Sequence, residues 1–410
     1  MKTYNSGLWR HGDFMKLWTG QTISQFGSQI TALVIPLVAV LTLKATPIQM
    51  GLLVTAGWLP FLLIGWFAGV WVDRYQRKAI LIITDVGRAL LLLLIPLCML
   101  LGILRIEILF VVTLLVGFFT VFFDIAYTSF LPALVGRAQL VEGNSKLTAT
   151  QSAARIAGPG IAGPLMQLLG APLAILFDIL SFAISALFVS LIHTAEPQTQ
   201  TERTKQSFWR DVREGLQEVT QHPVLRAMAC SNGTANLFWG VETAAFVLYV
   251  TRVIGINSGL VGFIFASQNV GLFAGTFLAR KAGKRFGVGP TIIITPVFST
   301  LAVGVIALAA GPLSLRLAML VCAHALIGCA LMIYTINQVS LQQSLISDQK
   351  QGRVNATMRF IGFCISPLGA LIGGVLGEYL GLRQAMLVAA AGLWLALPWL
   401  VFSPLRGMKE

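Results

Sequence analysis

A chain of 410 residues that is 56% hydrophobic and only 11% charged falls far below the roughly 25% charged content of soluble domains. Its mean hydropathy of +0.80 therefore excludes a water-soluble globular protein. A formal net charge of +13 raises nucleic acid as a partner, an idea that the placement of that charge decides against.

A membrane-crossing helix needs about 20 mostly apolar residues, and interruptions by charge or by Gly, Pro and Asn leave twelve such stretches. The first, Phe14 to Leu43, is too long and too polar for a cleaved leader, so it is retained. At 100° per residue its Gln21, Ser24, Gln25 and Ser28 share an arc of about 100°, with Gln29 at the edge. Lipid offers such side chains no hydrogen bond, so the stripe must face protein or water. Spans two and three, Pro47 to Val72 and Ala79 to Leu101, are joined by GVWVDRYQRK (Gly69 to Lys78), with Asp85 and Arg88 just beyond. Span four, Ile106 to Leu131, holds Asp124; span five, Leu147 to Leu169, holds Arg155 and AGPGIAGP with Gly158, Pro159 and Gly163. Span six, Pro172 to Ile192, holds Asp178.

The interval His193 to Pro223 reads as a cytoplasmic linker, within which SFWRDVREGLQEV forms an amphipathic helix at the membrane surface or against the bundle. Span seven, Val224 to Val253, repeats the polar stripe: Asn232, Asn236, Trp239 and Thr243 lie within about 60°, with Glu242 at one margin. Span eight, Ser258 to Ala279, adds Gln268 and Asn269; span nine is Val288 to Ala310. Span ten, Leu313 to Leu341, carries His324, Thr335 and Gln338, with Gln342 just past its end. Spans eleven and twelve, Arg353 to Tyr379 and Leu382 to Phe402, contain Arg359 and Pro367 in the former. Five cysteines stand singly in apolar stretches without CxxC spacing, so neither disulfides nor a metal site nor any cofactor is expected.

With the N-terminus in the cytoplasm, 21 of the 29 Lys and Arg fall at the termini or in even-numbered connections, against five on the other side and three inside spans. This bias puts both termini in the cytoplasm and explains the basic charge by topology rather than nucleic acid. The expected architecture is an all-α membrane protein of twelve transmembrane helices in two six-helix bundles. Residues 1-193 form the first bundle, 194-223 the linker and 224-410 the second bundle. The halves look duplicated: the segment from Ser129 overlays that from Val339 at an offset near 210, bringing Asn144 to Asn355 and Pro159 towards Pro367. Likewise LFAGTFLARKAGKRFG echoes FAGVWVDRYQRKAIL. Duplication with parallel orientation implies a pseudo-twofold axis along the membrane normal and a site between the halves near mid-depth.

The loop GVWVDRYQRK fits GxxxDRxxR[KR] and resembles the loop signature of the major facilitator superfamily. AGPGIAGP is similar to that superfamily's antiporter motif, with Ala162 for its first trailing glycine. LWTGQTISQFGSQITALVIPL, LPALVGRAQLVEGN, AILFDILSFAISAL and SFWRDVREGLQEV resemble the branch of macrolide efflux pumps and enterobactin exporters. Gln76 stands where many members have glycine, and the second-half copy has Ala279 at the acidic position. The resemblance implies spans one, four, seven and ten around a cavity and Asp73 at the start of span eleven. It also implies a less tightly latched second gate, export, and proton exchange. On the residues alone, Gly69 permits close helix approach, and Arg74, Arg77, Asp85 and Arg88 can add a charge network on the cytoplasmic face. Pro159 and Pro367, among glycines, suit helices that bend or pack tightly.

Candidate substrate contacts are Gln21, Gln25, Ser28, Gln29, Asn232, Asn236, Trp239, Gln268, Thr335 and Gln338; helix-to-helix hydrogen bonding is the alternative for each Gln or Asn. An unpaired intramembrane charge costs ~2.5–3.5 kcal/mol, so Glu242, Asp124, Asp178 and His324 are candidate proton carriers. Asp178 pairing with Arg155 is the structural alternative. The function expected is a monomeric inner-membrane secondary transporter, not an enzyme, exporting a partly apolar drug-like compound or siderophore by alternating access in exchange for protons. An importer or facilitator of a small polar solute shares the fold, and a membrane-embedded sensor is the different-class alternative.

Overall fold

The computed structural model describes residues 7–64, 68–72, 74–136, 139–193 and 208–408, and the side chains of all of these except 70, 208–212, 348, 349 and 363. Every regular element among them is helical, as hydrocarbon demands of a backbone that must satisfy its own polar groups. The order is α1 (Gly12–Leu37), α2 (Pro47–Ile64), α3 (Ala68–Val72), α4 (Arg77–Leu100), α5 (Ile106–Val135) and α6 (Leu140–Ser190). After α7 (Phe208–Gln221) follow α8 (Pro223–Leu248), α9 (Ser258–Phe286), α10 (Val288–Ala307) and α11 (Leu313–Leu345). The chain closes with α12 (Asp348–Tyr379), α13 (Leu382–Trp394) and α14 (Leu397–Val401).

Ten helical segments among the described residues are long and apolar enough to cross a membrane. The twelve expected spans are recovered once two of them are understood. The 51-residue α6 is broken at Gly170, whose φ of 80° and ψ of 165° only glycine adopts readily, so it supplies spans five and six. Span seven, α8, is not among the ten; its Ser231, Asn232, Thr234, Asn236 and Glu242 dilute its apolar character.

Contacts divide the chain into two units. One holds Met1–Ala45, Ala56–Thr201 and Ser258–Gly262; the other holds Thr46–Thr55, Glu202–Asn257 and Phe263–Glu410. The backbone repeats itself between them with a shift of 211 residues. The π-helical turn Val38–Thr42 that ends α1 falls on Tyr249–Val253 after α8. Left-handed Lys44 (φ 54°) falls on Gly255 (φ 78°), and Gly170 on Gly381 (φ 96°). The bond from Ala45 N to Ala39 O (2.8 Å) recurs as Ile256 N to Val250 O (3.0 Å). The starts of α2 and α9, and of α4 and α10, obey the same shift.

This register corrects two details of the sequence alignment. Helix α9 continues to Phe286, so Ala279 is buried inside it, and the shift sets it against Ala68. Pro159 falls on Ala370, so Pro367 sits three residues out of step with it; only Asn144 and Asn355 coincide. The shift also relates two glycine contacts. In the first unit a Cβ on Gly163 would lie 2.6 Å from Ser258 O and 2.7 Å from Gly259 O; in the second, one on Gly374 would lie 2.8 Å from Pro47 O. Only a missing side chain allows helix backbones so close.

The amphipathic α7 docks on the second unit. Val219 is 2% exposed in a cluster with Val224, Met228, Val354 and Met358. Gly215 abuts Thr357 and the Arg353 carbonyl of α12. Glu218 takes Lys350 at 2.7 Å, and Glu214 pairs with Arg353. Of the two placements open to this helix, the bundle is the one adopted.

Candidate functional site

Each unit contains a cavity built on its first long helix, with amides in its lining. In the first unit Gln21 and Gln25 of α1, with Tyr127 of α5 and Asn144 and Gln151 of α6, line a hollow of about 120 Å³. Gln21, 3% exposed, also donates to Ser185 Oγ at 3.4 Å. Helical spacing of four places both amides on the same side of α1. Ser28 and Gln29 lie a turn further along, outside the lining of this hollow, and Gln29 packs against Gly158.

In the second unit Asn232, Asn236 and Trp239 of α8 and Gln268 of α9 line a larger cavity of about 260 Å³. The 211-residue shift carries Gln21 and Gln25 onto Asn232 and Asn236, so both hollows use the same two positions of the repeat. Tyr334 lines this cavity and donates to Asn232 Oδ1 at 2.7 Å, while Asn236 Nδ2 donates to its own helix at Asn232 O, 2.8 Å away. Sequence reasoning missed Tyr334, Ser299 and Thr300, which also line it. Thr335 and Gln338 do not: Thr335 is exposed and binds Leu331 O, and Gln338 is buried elsewhere on α11.

The ionisable candidates are dispersed. Glu242 is 7% exposed and forms no ion pair among the described residues. His324, 3% exposed, bonds Leu320 O of its own helix at 3.1 Å and packs on the Phe246 ring, centroids 4.7 Å apart. Asp124 is on the exposed surface of α5. Asp178, 1% exposed, accepts from Ser181 Oγ at 3.0 Å. Its expected pairing with Arg155 is not formed, because Arg155 points from α6 to the exposed side.

Of the residues read as gating elements, Asp73 lies outside the described residues. Arg74 is exposed, and among the described residues nothing lies within 4 Å of where a Cβ on Gly69 would stand. Lys78 donates to Ser190 O and Ile192 O at 2.9 and 2.6 Å, satisfying carbonyls left open at the end of α6. Among the described residues Asp85 and Arg88 join no charge network with the loop on the cytoplasmic face, contrary to expectation. They are 0% and 5% exposed and pair with each other, and the Arg88 guanidinium lies 4.2 Å from the ring centroids of both Phe123 and Phe182. Pro367 O accepts from Thr55 Oγ1 at 3.2 Å. The described residues contain no cluster of three metal-ligating side chains.

A family model described as Major Facilitator Superfamily matches residues 17–370. The chain is 26% identical over 386 residues to the multidrug efflux pump Tap of Mycolicibacterium fortuitum, covering 92% of each chain. It is 23% identical over 397 residues to macrolide efflux protein A of Streptococcus pyogenes, covering 95% of this chain and 94% of that one. Its fold matches the crystal structure of a bacterial homologue of the iron transporter ferroportin with a TM-score of 0.79. That match has 16% identity and covers 97% of this chain and 99% of the other.

Proposed function

The chain belongs to the Major Facilitator Superfamily, and from that membership we propose that it exports a partly apolar small molecule by alternating access, in exchange for protons. The observation that carries this reading is the repeated use of one pair of helix positions, Gln21 and Gln25 in one unit and Asn232 and Asn236 in the other, to line a hollow in each. Amides inside apolar spans are expensive to bury dry; here they line hollows while Gln21, Asn232 and Asn236 also hold hydrogen bonds within the protein. Efflux relatives spanning more than nine tenths of the chain favour export over uptake.

In this reading Gln21, Gln25, Asn232, Asn236, Trp239 and Gln268 contact the substrate, with Ser28, Gln29, Thr335 and Gln338 meeting it during passage. Glu242 carries the proton, being a buried carboxyl without a cationic partner among the described residues; Asp178, Asp124 and His324 are the other candidates. Gly69, Asp73, Arg74 and Arg77 form the loop gate, and Gly158, Pro159, Gly163 and Pro367 the helix contacts that move with it. The protein works as a monomer in the bacterial inner membrane, with both termini cytoplasmic, where Lys and Arg concentrate.

A deletion strain tests this. At least one partly apolar compound from a panel of drugs and siderophores accumulates more than in the parent, and an uncoupler removes the difference. Glu242→Gln abolishes the response to a pH gradient in proteoliposomes. Equal flux with and without a gradient would turn the reading to a facilitator.

A further inference from the structure

The cavity of the second unit occupies the place that a buried ion pair fills in the first. Under the 211-residue shift Ser299 stands for Arg88, Pro296 for Asp85, Tyr334 for Phe123 and Leu393 for Phe182; Ser299, Pro296, Tyr334 and Leu393 all line the cavity. In the first unit the Arg88 side chain runs between the two rings and ends on Asp85, so that interior is plugged. In the second, a serine hydroxyl replaces a guanidinium and its stem, and about 260 Å³ is left open.

We propose that this cavity is a binding pocket for an uncharged, ring-bearing group with hydrogen-bonding substituents, such as a sugar or amide-bearing ring of the transported compound. This proposal rests on the transporter reading above and adds the chemistry of one subsite. None of the described side chains lining the cavity is charged, so an ion entering it would lose its hydration without a counter-charge, a cost of several kcal/mol. Trp239 and Tyr334 supply ring faces. The side chains of Gln268 and Ser299 make no hydrogen bond among the described residues, which leaves an amide and a hydroxyl for a ligand. A mostly apolar pocket with a few convergent polar groups is the usual form of a small-molecule site. Exclusion of charge is then set by Ser299 and Pro296, two positions silent in the sequence.

The test rebuilds the plug. Full-length protein in detergent is dialysed against 4-methylumbelliferyl glucoside (neutral), ethidium (cationic) and 2,3-dihydroxybenzoate (anionic). The glucoside binds saturably and about tenfold tighter than either ion. S299R combined with P296D lowers its affinity by about tenfold or more, and S299L, which fills the space without charge, does the same should the double variant misfold. Preference for ethidium or dihydroxybenzoate, no saturable glucoside binding, or equal binding by S299L and wild type would overturn the proposal. Proteoliposome flux separates the two readings: binding without flux sinks the transporter reading alone, whereas glucoside flux indifferent to S299L sinks the pocket alone.

Discussion

Arg88 shows how far a residue's role depends on neighbours from distant sequence. It follows Arg77 by three helical turns, so that a charge near a basic loop suggested a cytoplasmic network, yet Phe123 and Phe182 come from other helices and carry it into the interior. Removing one partner of such a pair leaves the other buried and unpaired. Arg88→Met is therefore expected to lower stability by about 3–5 kcal/mol, read as a fall in the thermal midpoint in detergent. Arg88→Met with Asp85→Leu should recover most of it. The amides were legible because Gln and Asn are conspicuous in an apolar span. Ser299, Thr300 and Tyr334 were not, since membrane helices absorb such hydroxyls routinely, as Thr300 does by bonding Pro296 O at 2.9 Å.

Helix starts such as Pro47, Ser258, Val288 and Leu313 were legible, but charge misled at the end of α9, which runs through Arg280 and Lys284 to Phe286, and at α6 the break is a single φ at Gly170. The amphipathic pattern of α7 found the helix but left its partner open; Gly215, small enough to seat it on α12, decides that. Gly215→Val is expected to lift α7, exposing Arg213 to trypsin several-fold faster at unchanged spans. The turns after α1 and α8 offer an internal comparison. Lys44 holds a left-handed conformation that its counterpart Gly255 adopts without strain. Gly255→Ala should destabilise by roughly 1 kcal/mol, whereas Lys44→Gly should be neutral or better; thermal midpoints of the two variants check both.

At the level of the molecule, twelve spans and an internal duplication were readable from hydropathy and from Asn144 and Asn355. The 211-residue register was not, because the loop echo that suggested another alignment sets Gly69 of α3 against Gly275 of α9, five residues short of the shift. Duplication with divergence explains why the units resemble each other in backbone but not in filling: where one carries a buried ion pair beside a small hollow, the other leaves a larger cavity. The low apolar content that keeps α8 outside the ten clearly apolar segments also bears on biogenesis. A segment with Asn232, Asn236 and Glu242 near its middle gains little by partitioning alone from the translocon into lipid. It should enter as a hairpin with α9, from which only a short connection separates it. Fused singly to a glycosylation reporter, Pro223–Leu248 is expected to be integrated in a minority of molecules, and Pro223–Phe286 in most, so that assembly of the second half begins with two helices rather than one.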